Sequence, residues 1–113
     1  MERWAIKPRG HYPKDWDKIS KDYKKSVDNT CEYCGKIHER SYDYSLTTHH
    51  LDGDKGNCRK WNLISLCSGY CHKEVQRRIN IEQLVKEPNF DIYNIPEWLR
   101  EKVRGYLEYI KEA

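Results

Sequence analysis

The chain has 113 residues, enough for one compact domain with flanking elements and too few for two independent cores. Charged residues make up 35%, and the 37% apolar fraction leans on nine Tyr and four Trp, so with a mean hydropathy of -1.06 an unaided hydrophobic core would be thin. The net charge of +3 permits a polyanionic partner without announcing one, while the absence of an opening apolar segment and of any run near the roughly 18 to 20 apolar residues of a membrane span makes a cytoplasmic protein with no membrane partner the expectation.

Three parts follow one another without repeats or low-complexity linkers. Residues 1–27 read as an N-terminal helical extension packing on the core, because Trp16, Ile19, Tyr23 and Val27 recur at spacings of three and four after Pro13. The other faces of that helix carry Lys18, Lys21, Lys24 and Lys25, which are expected to point outward. Residues 28–87 form the core. In it, SYDYSLTTHHL is rich in β-branched and aromatic residues and NLISL is a second short apolar run, so two strands are expected, joined by the turn-rich loop Leu51–Trp61. A helix should follow Cys71. In residues 88–113 the pattern breaks at Pro88, Asn89 and Asn94 and then resumes as a helix, part of the same domain, on which Leu99, Val103, Tyr106, Leu107 and Ile110 share a face. Gly105 should weaken that helix by about 1 kcal/mol relative to Ala.

Four of the five cysteines fall in two close pairs, which suits a metal in a reducing compartment better than a disulfide framework. Cys31 and Cys34 are separated by two residues and followed by Gly35, the spacing of a knuckle whose backbone amides turn toward thiolates. Cys67 and Cys71 are separated by three, and Gly69 can absorb the extra residue in a wider turn. The expectation is a structural zinc, since four thiolates close the shell and leave no position for water. Cys58 is left over as a spare thiol. The loop run beginning at Asp52 fails as a calcium loop, because Asn57 stands at the required glycine and Leu63 at the required bidentate glutamate.

Three of the five histidines, His49, His50 and His72, remain to be explained. Neighbours on a strand point to opposite faces, so His49 and His50 should divide the labour. If the two strands fold back as a hairpin, His72, next to a zinc ligand, can approach His49. Two imidazoles would then hold a divalent cation with open positions, the arrangement of a catalytic metal.

With His49-His50, Asn62-Leu63 and Cys67-x3-Cys71-His72, preceded by Cys31-x2-Cys34, the chain resembles the HNH endonucleases over roughly residues 28–80. The resemblance implies an α+β fold: a small ββα-metal core stapled by a four-cysteine zinc site, with flanking N- and C-terminal helices. It also implies roles. His49 and His72 would be ligands of the catalytic divalent metal, Mg²⁺, Mn²⁺ or another. His50 would be the general base, and Asn62 the residue that fixes the loop carrying it. Three departures stand out: the second knuckle has one extra residue, His49 stands where many members have Asp, and Gln76 stands where colicin-type nucleases place a further histidine. Small stand-alone members of this kind resemble proteins of phages, mobile elements and restriction systems.

The implied reaction is metal-dependent hydrolysis, by nicking or cleavage, of DNA phosphodiester bonds. A histidine near its ordinary pKa of about 6.5 can take the proton of the attacking water at neutral pH. DNA is the expected partner, with phosphates met by Lys55, Arg59 and Lys60 in the loop and by Lys73, Arg77 and Arg78 on the following helix. No base-reading helix and no aromatic stacking platform of the RNP type is legible. The alternative reading is a noncatalytic zinc module that binds nucleic acid or protein. A redox role lacks the βαβ context it needs.

Overall fold

A computed structural model describes residues 10–38 and 45–112. The chain enters helix α1 (Trp16–Ser26) through Pro13, whose carbonyl accepts from the Trp16 amide at 3.1 Å. The stripe of three- and four-residue spacings buries Tyr23 and partly buries Trp16, Ile19 and Val27. Lys18, Lys21 and Lys25 lie outward, but Lys24 does not. It is only 8% exposed, and its ammonium donates to the Leu46 carbonyl at 3.1 Å. The arc of α1 facing the sheet is one residue wider than the apolar stripe, and a strand-end carbonyl satisfies the charge brought in with it.

After α1, Asp28 and Asn29 adopt left-handed φ values of 55° and 53°, a conformation that Asp and Asn tolerate better than most residues. They turn the chain into a tight hairpin over 29–38, closed by a bridge between Thr30 and Ile37, with the Cys31 amide on the Lys36 carbonyl and the His38 amide on the Asn29 carbonyl.

Strands β1 (Leu46–His50) and β2 (Leu63–Cys67) pair antiparallel, placing His49 opposite Ile64 and His50 opposite Leu63. The first strand is shorter than its sequence pattern suggests, and 41–44, where that pattern begins, lie outside the described residues. Every residue of β2 from Leu63 to Leu66 is buried. The outer edge of β2 is capped by one residue of the hairpin: the Glu32 amide donates to the Ser65 carbonyl, and the Glu32 carboxylate accepts from the Ser65 amide, each at 2.8 Å.

The helix expected after Cys71 contains it, as α2 (Tyr70–Arg78), entered through Gly69 at φ 88°. A separate short helix, α3 (Ile81–Lys86), follows, which the apolar pattern did not disclose. Its start is set by the Asn80 side chain, which accepts from the amides of Glu82 and Gln83. A turn of 3₁₀ helix, Ile92–Asn94, bridges to α4 (Glu97–Glu112). On α4, Leu99, Val103 and Tyr106 are buried and Leu107 partly so, whereas Ile110 is 44% exposed because the helix by then runs past the core. The core gathers Leu46, Leu51, Ile64, Leu66, Val75, Ile81, Leu99 and Val103 from both strands and from α2, α3 and α4.

Gly105 has a use beyond helix propensity. A Cβ there would stand 2.7 Å from the Trp61 Cβ, so the glycine lets α4 close onto the 3₁₀ turn Lys60–Asn62. The architecture is thus α+β, a two-stranded antiparallel sheet surrounded by helices among the described residues, with β1, β2 and α2 consecutive in the chain. No helix of the described residues is long and apolar enough to cross a membrane.

Beneath the edge of β2 lies a buried charged trio. The Tyr23 hydroxyl donates to Glu32 Oε2 at 2.5 Å, Lys102 Nζ lies 3.1 Å from Glu32 Oε1, and the same ammonium donates to the Tyr23 hydroxyl. Burial, and then the Glu32 carboxylate, push the Tyr23 phenol far above its ordinary pKa, while burial pulls the Lys102 ammonium below its own against the opposing pull of Glu32. α1, the hairpin, β2 and α4 meet at this one carboxylate.

Candidate functional site

The hairpin and the turn into α2 bring Cys31, Cys34, Cys67 and Cys71 together with all four sulfurs within 4.8 Å of one another. Tetrahedral thiolates at about 2.3 Å from one Zn²⁺ lie roughly 3.8 Å apart, and Cys34 Sγ and Cys67 Sγ are separated by 3.6 Å. The donor set and spacing fit a metal ion such as zinc. Protonation tells the same story: burial raises the Cys31 thiol, but the amides of Cys34, Cys67 and Tyr33 and the Cys34 thiol together outweigh it and draw it to about 7. Burial and the neighbouring cysteines push Cys67 up to about 11 and Cys71 higher still. Four sulfurs this close cannot all ionise unaided, and a divalent cation at their centre removes the obstacle.

One residue of this centre has no sequence signal of its own. His38 is buried, with Nε2 3.3 Å from Cys67 Sγ and Nδ1 2.8 Å from Ser45 Oγ. With Cys67 as a thiolate, Nε2 carries the hydrogen and Nδ1 accepts from the serine, so the histidine supports the sulfur without displacing it. The signal that could have found it is its place four residues after Cys34, at the foot of the knuckle.

A cleft of about 190 Å³ is lined by His49, His50, His72, Thr48, Lys55 and Gln76, among others. His49 and His50 have different ring neighbours, His72 for the one and Trp16 and Tyr12 for the other. His50 is the last residue of β1, where the backbone turns into the loop, and both imidazoles line the same cleft. The rings of His49 and His72 lie 4.9 Å apart between centroids. His49 Nε2 is buried with no hydrogen-bond partner among the described residues. Burial, then the neighbouring His72 and His50, hold the His49 pKa down to about 3, so its imidazole is neutral with a lone pair to offer. For His72 the tautomer follows from its neighbour. Thr47 Oγ1 gives its hydrogen to the Leu66 carbonyl at 3.1 Å, so at 3.4 Å from His72 Nδ1 it accepts, and the lone pair of His72 belongs to Nε2. Two neutral imidazoles, one of them orphaned, suit a divalent cation.

His50 packs its ring on Trp16 at 4.7 Å and near Tyr12 at 5.9 Å, with Cys58 Sγ 3.9 Å from its Nε2. Burial lowers its pKa, opposed by the carboxylates of Asp52 and Asp54. The loop that leaves His50 is closed by Asn62, which is 0% exposed. Asn62 Oδ1 accepts from the Asp52 amide at 2.9 Å, and Asn62 Nδ2 donates to Asp52 Oδ1 at 2.8 Å and to the Asn57 carbonyl at 2.9 Å. Asp52 completes the knot: its two carboxylate oxygens accept from the Asp54 amide at 2.8 Å and from Asn57 Nδ2 at 2.7 Å. The structural weight of Asp52 went unread in the sequence, where it looked like part of a failed calcium loop.

The expected phosphate-binding residues scatter. Lys55 lines the cleft, its ammonium 5.2 Å from the centre of the Tyr12 ring. Lys60 and Lys73 are exposed. Arg59 lies over Tyr109 of α4 at 4.3 Å and donates to Asn57 Oδ1. Arg77 and Arg78, both exposed, pair with Glu74 on their own helix. No protein-family model, curated protein or solved structure matches the chain.

Proposed function

We propose that this protein is a metal-dependent endonuclease of the HNH kind, hydrolysing DNA phosphodiester bonds from the His49–His50–His72 cleft, with a structural zinc in the four-cysteine site. The observation that carries this reading is the buried, unpartnered Nε2 of His49 facing a second imidazole whose tautomer also leaves a lone pair, in a cleft that a third histidine shares. An ordinary buried histidine has its ring nitrogens satisfied.

A divalent cation such as Mg²⁺ or Mn²⁺ on His49 and His72 would supply neutralisation of charge at the scissile phosphate. The chain's own residues do the rest. His50, neutral because burial disfavours its cation, takes the proton of the attacking water. Trp16 fixes its ring plane from one side, and the Asn62–Asp52 knot fixes the backbone from which it projects. Lys55 at the mouth offers a charge to a neighbouring phosphate.

Plasmid nicking with a panel of divalent metals tests the reading. His50→Ala should slow cutting by about 10² to 10⁴-fold with zinc content and DNA affinity near wild type, and His72→Ala should raise the concentration of divalent metal needed while retaining the zinc. No cutting with any metal, together with retained DNA binding, would replace the enzyme with a noncatalytic zinc module. Zinc loss in His72→Ala would move His72 to the cysteine site and dissolve the second centre.

A further inference from the structure

The histidine cleft does not end at His72. It opens into a larger groove of about 460 Å³ between α1 and β1, and the two share Tyr12, Thr48 and His72 in their walls. The groove's floor is polar, with Ser20 Oγ donating to Thr48 Oγ1 at 2.7 Å. At the junction of groove and cleft stands an aromatic cluster in which Trp16 packs on His50 at 4.7 Å and on Tyr12 at 5.1 Å, the latter with the two planes 24° apart, while Tyr12 and His50 lie 5.9 Å from each other. Tyr12 is 52% exposed, with the Lys55 ammonium over its ring at 5.2 Å from the centroid. Lys55 lines the cleft and Lys21 lines the groove.

We infer that the α1–β1 groove holds a single nucleic-acid strand, one of whose unpaired bases stacks on Tyr12 while its phosphates pass between Lys21 and Lys55 toward the histidines. The inference deepens the endonuclease reading and rests on it for direction, since the groove is continuous with the proposed cutting cleft. Three features favour a single strand over other occupants. A half-exposed tyrosine backed by Trp16 offers a ring that an unpaired base can join by displacing the Lys55 ammonium from it, and that a paired, stacked base in a duplex cannot reach. Lys55 in the cleft and Lys21 in the groove are placed to meet the phosphates before and after that base. The exposed charges of the groove, Asp17 and Lys21, balance, and Lys24 is engaged by the Leu46 carbonyl, so the groove offers nothing to match the dense charge of a duplex. The aromatics recur four residues apart across the entry to α1, and neither signals stacking until the arm before α1 folds back over the loop.

The test is equilibrium binding by fluorescence anisotropy of the zinc-loaded protein, without added Mg²⁺ or Mn²⁺, to a labelled single-stranded DNA oligonucleotide and to the blunt duplex of the same sequence. Tyr12→Ala should weaken single-strand binding by roughly tenfold or more, the usual effect of removing a stacking ring, while Tyr12→Phe stays near wild type and duplex binding is unmoved. Lys21→Gln should flatten the dependence of log affinity on log salt by about 0.7 for the single strand. Wild-type affinity in Tyr12→Ala, or an equal loss on single strand and duplex, overturns the inference. So does displacement of the oligonucleotide by an acidic peptide at equal concentration. The plasmid assay separates the two readings. If nothing cuts but the Tyr12 dependence holds, the groove stands and the nuclease falls. If the protein cuts and Tyr12→Ala binds normally, the reverse is true.

Discussion

Asn62→Ala puts the loop knot to a quantitative test. In the native chain the Asn62 amide makes three hydrogen bonds, all inside the protein. Removing it leaves the Asp52 amide and the Asn57 carbonyl without the partners it supplied, at about 1–3 kcal/mol for each buried group. The third bond, to Asp52 Oδ1, is lost at less cost, because that oxygen still accepts from the Asp54 amide. The sum is a destabilisation of about 2–6 kcal/mol, nearer the lower end if water enters the space vacated. Asn62→Asp keeps the acceptor for the Asp52 amide but loses both donors and sets a second carboxylate against Asp52, so it should be no less damaging at neutral pH. Urea unfolding at fixed zinc, paired with hydrogen exchange at the Asp52 amide, measures both the total and its location. A loss below about 1 kcal/mol, the range of an ordinary surface turn residue, would refute the idea that Asn62 holds the loop behind His50.

Freshly purified, chelator-washed protein should contain about one zinc per chain by metal analysis, and Cys31→Ser with Cys67→Ser should lose both the metal and the fold; a folded, zinc-free double variant would remove the structural site. Gly105→Ala should destabilise, although helix propensity alone favours Ala by about 1 kcal/mol, because the added Cβ meets Trp61 at 2.7 Å; a stabilised variant in thermal melts would show that the Trp61 turn yields freely. Tyr23 links stability to alkaline pH. Its folded pKa lies above the unfolded value of about 10, so its contribution is present below pH 10 and is lost as the unfolded phenol ionises above it. Lys102, lowered in the fold, works in the opposite sense as pH rises toward its unfolded value. The difference between wild type and Tyr23→Phe isolates the tyrosine: the stability gap should shrink above pH 10, and a constant gap would deny the phenol its place.

What was legible in the sequence was what is local. The cysteine pairs announce themselves by two- and three-residue gaps, and the four sulfurs do meet. The stripe on α1 and the apolar run of β2 follow from periodicity. What escaped depends on neighbours far along the chain. Lys24 counted as a surface lysine because nothing nearby reveals that Leu46 will offer it a carbonyl. His38 has no motif until Ser45 and Cys67 flank it. α3 is too short for its period to show, and its start depends on one side-chain cap.

The Glu32 carboxylate also imposes an order on biosynthesis. The chain is made from its N-terminus, so by the time His72 leaves the ribosome every cysteine and histidine of the two sites is present, and Tyr23 is already available to Glu32. The ammonium that neutralises Glu32 arrives only with Lys102, 79 positions after the tyrosine it also touches. A chain lacking α4 would carry both sites in name but would have to draw in the Glu32 carboxylate, still bonded by Tyr23 and Ser65, without the cation that balances its charge. Completion of α4, more than completion of the ligand set, is then what lets the hairpin close, and a deletion in that helix would weaken the protein without touching a residue of either site.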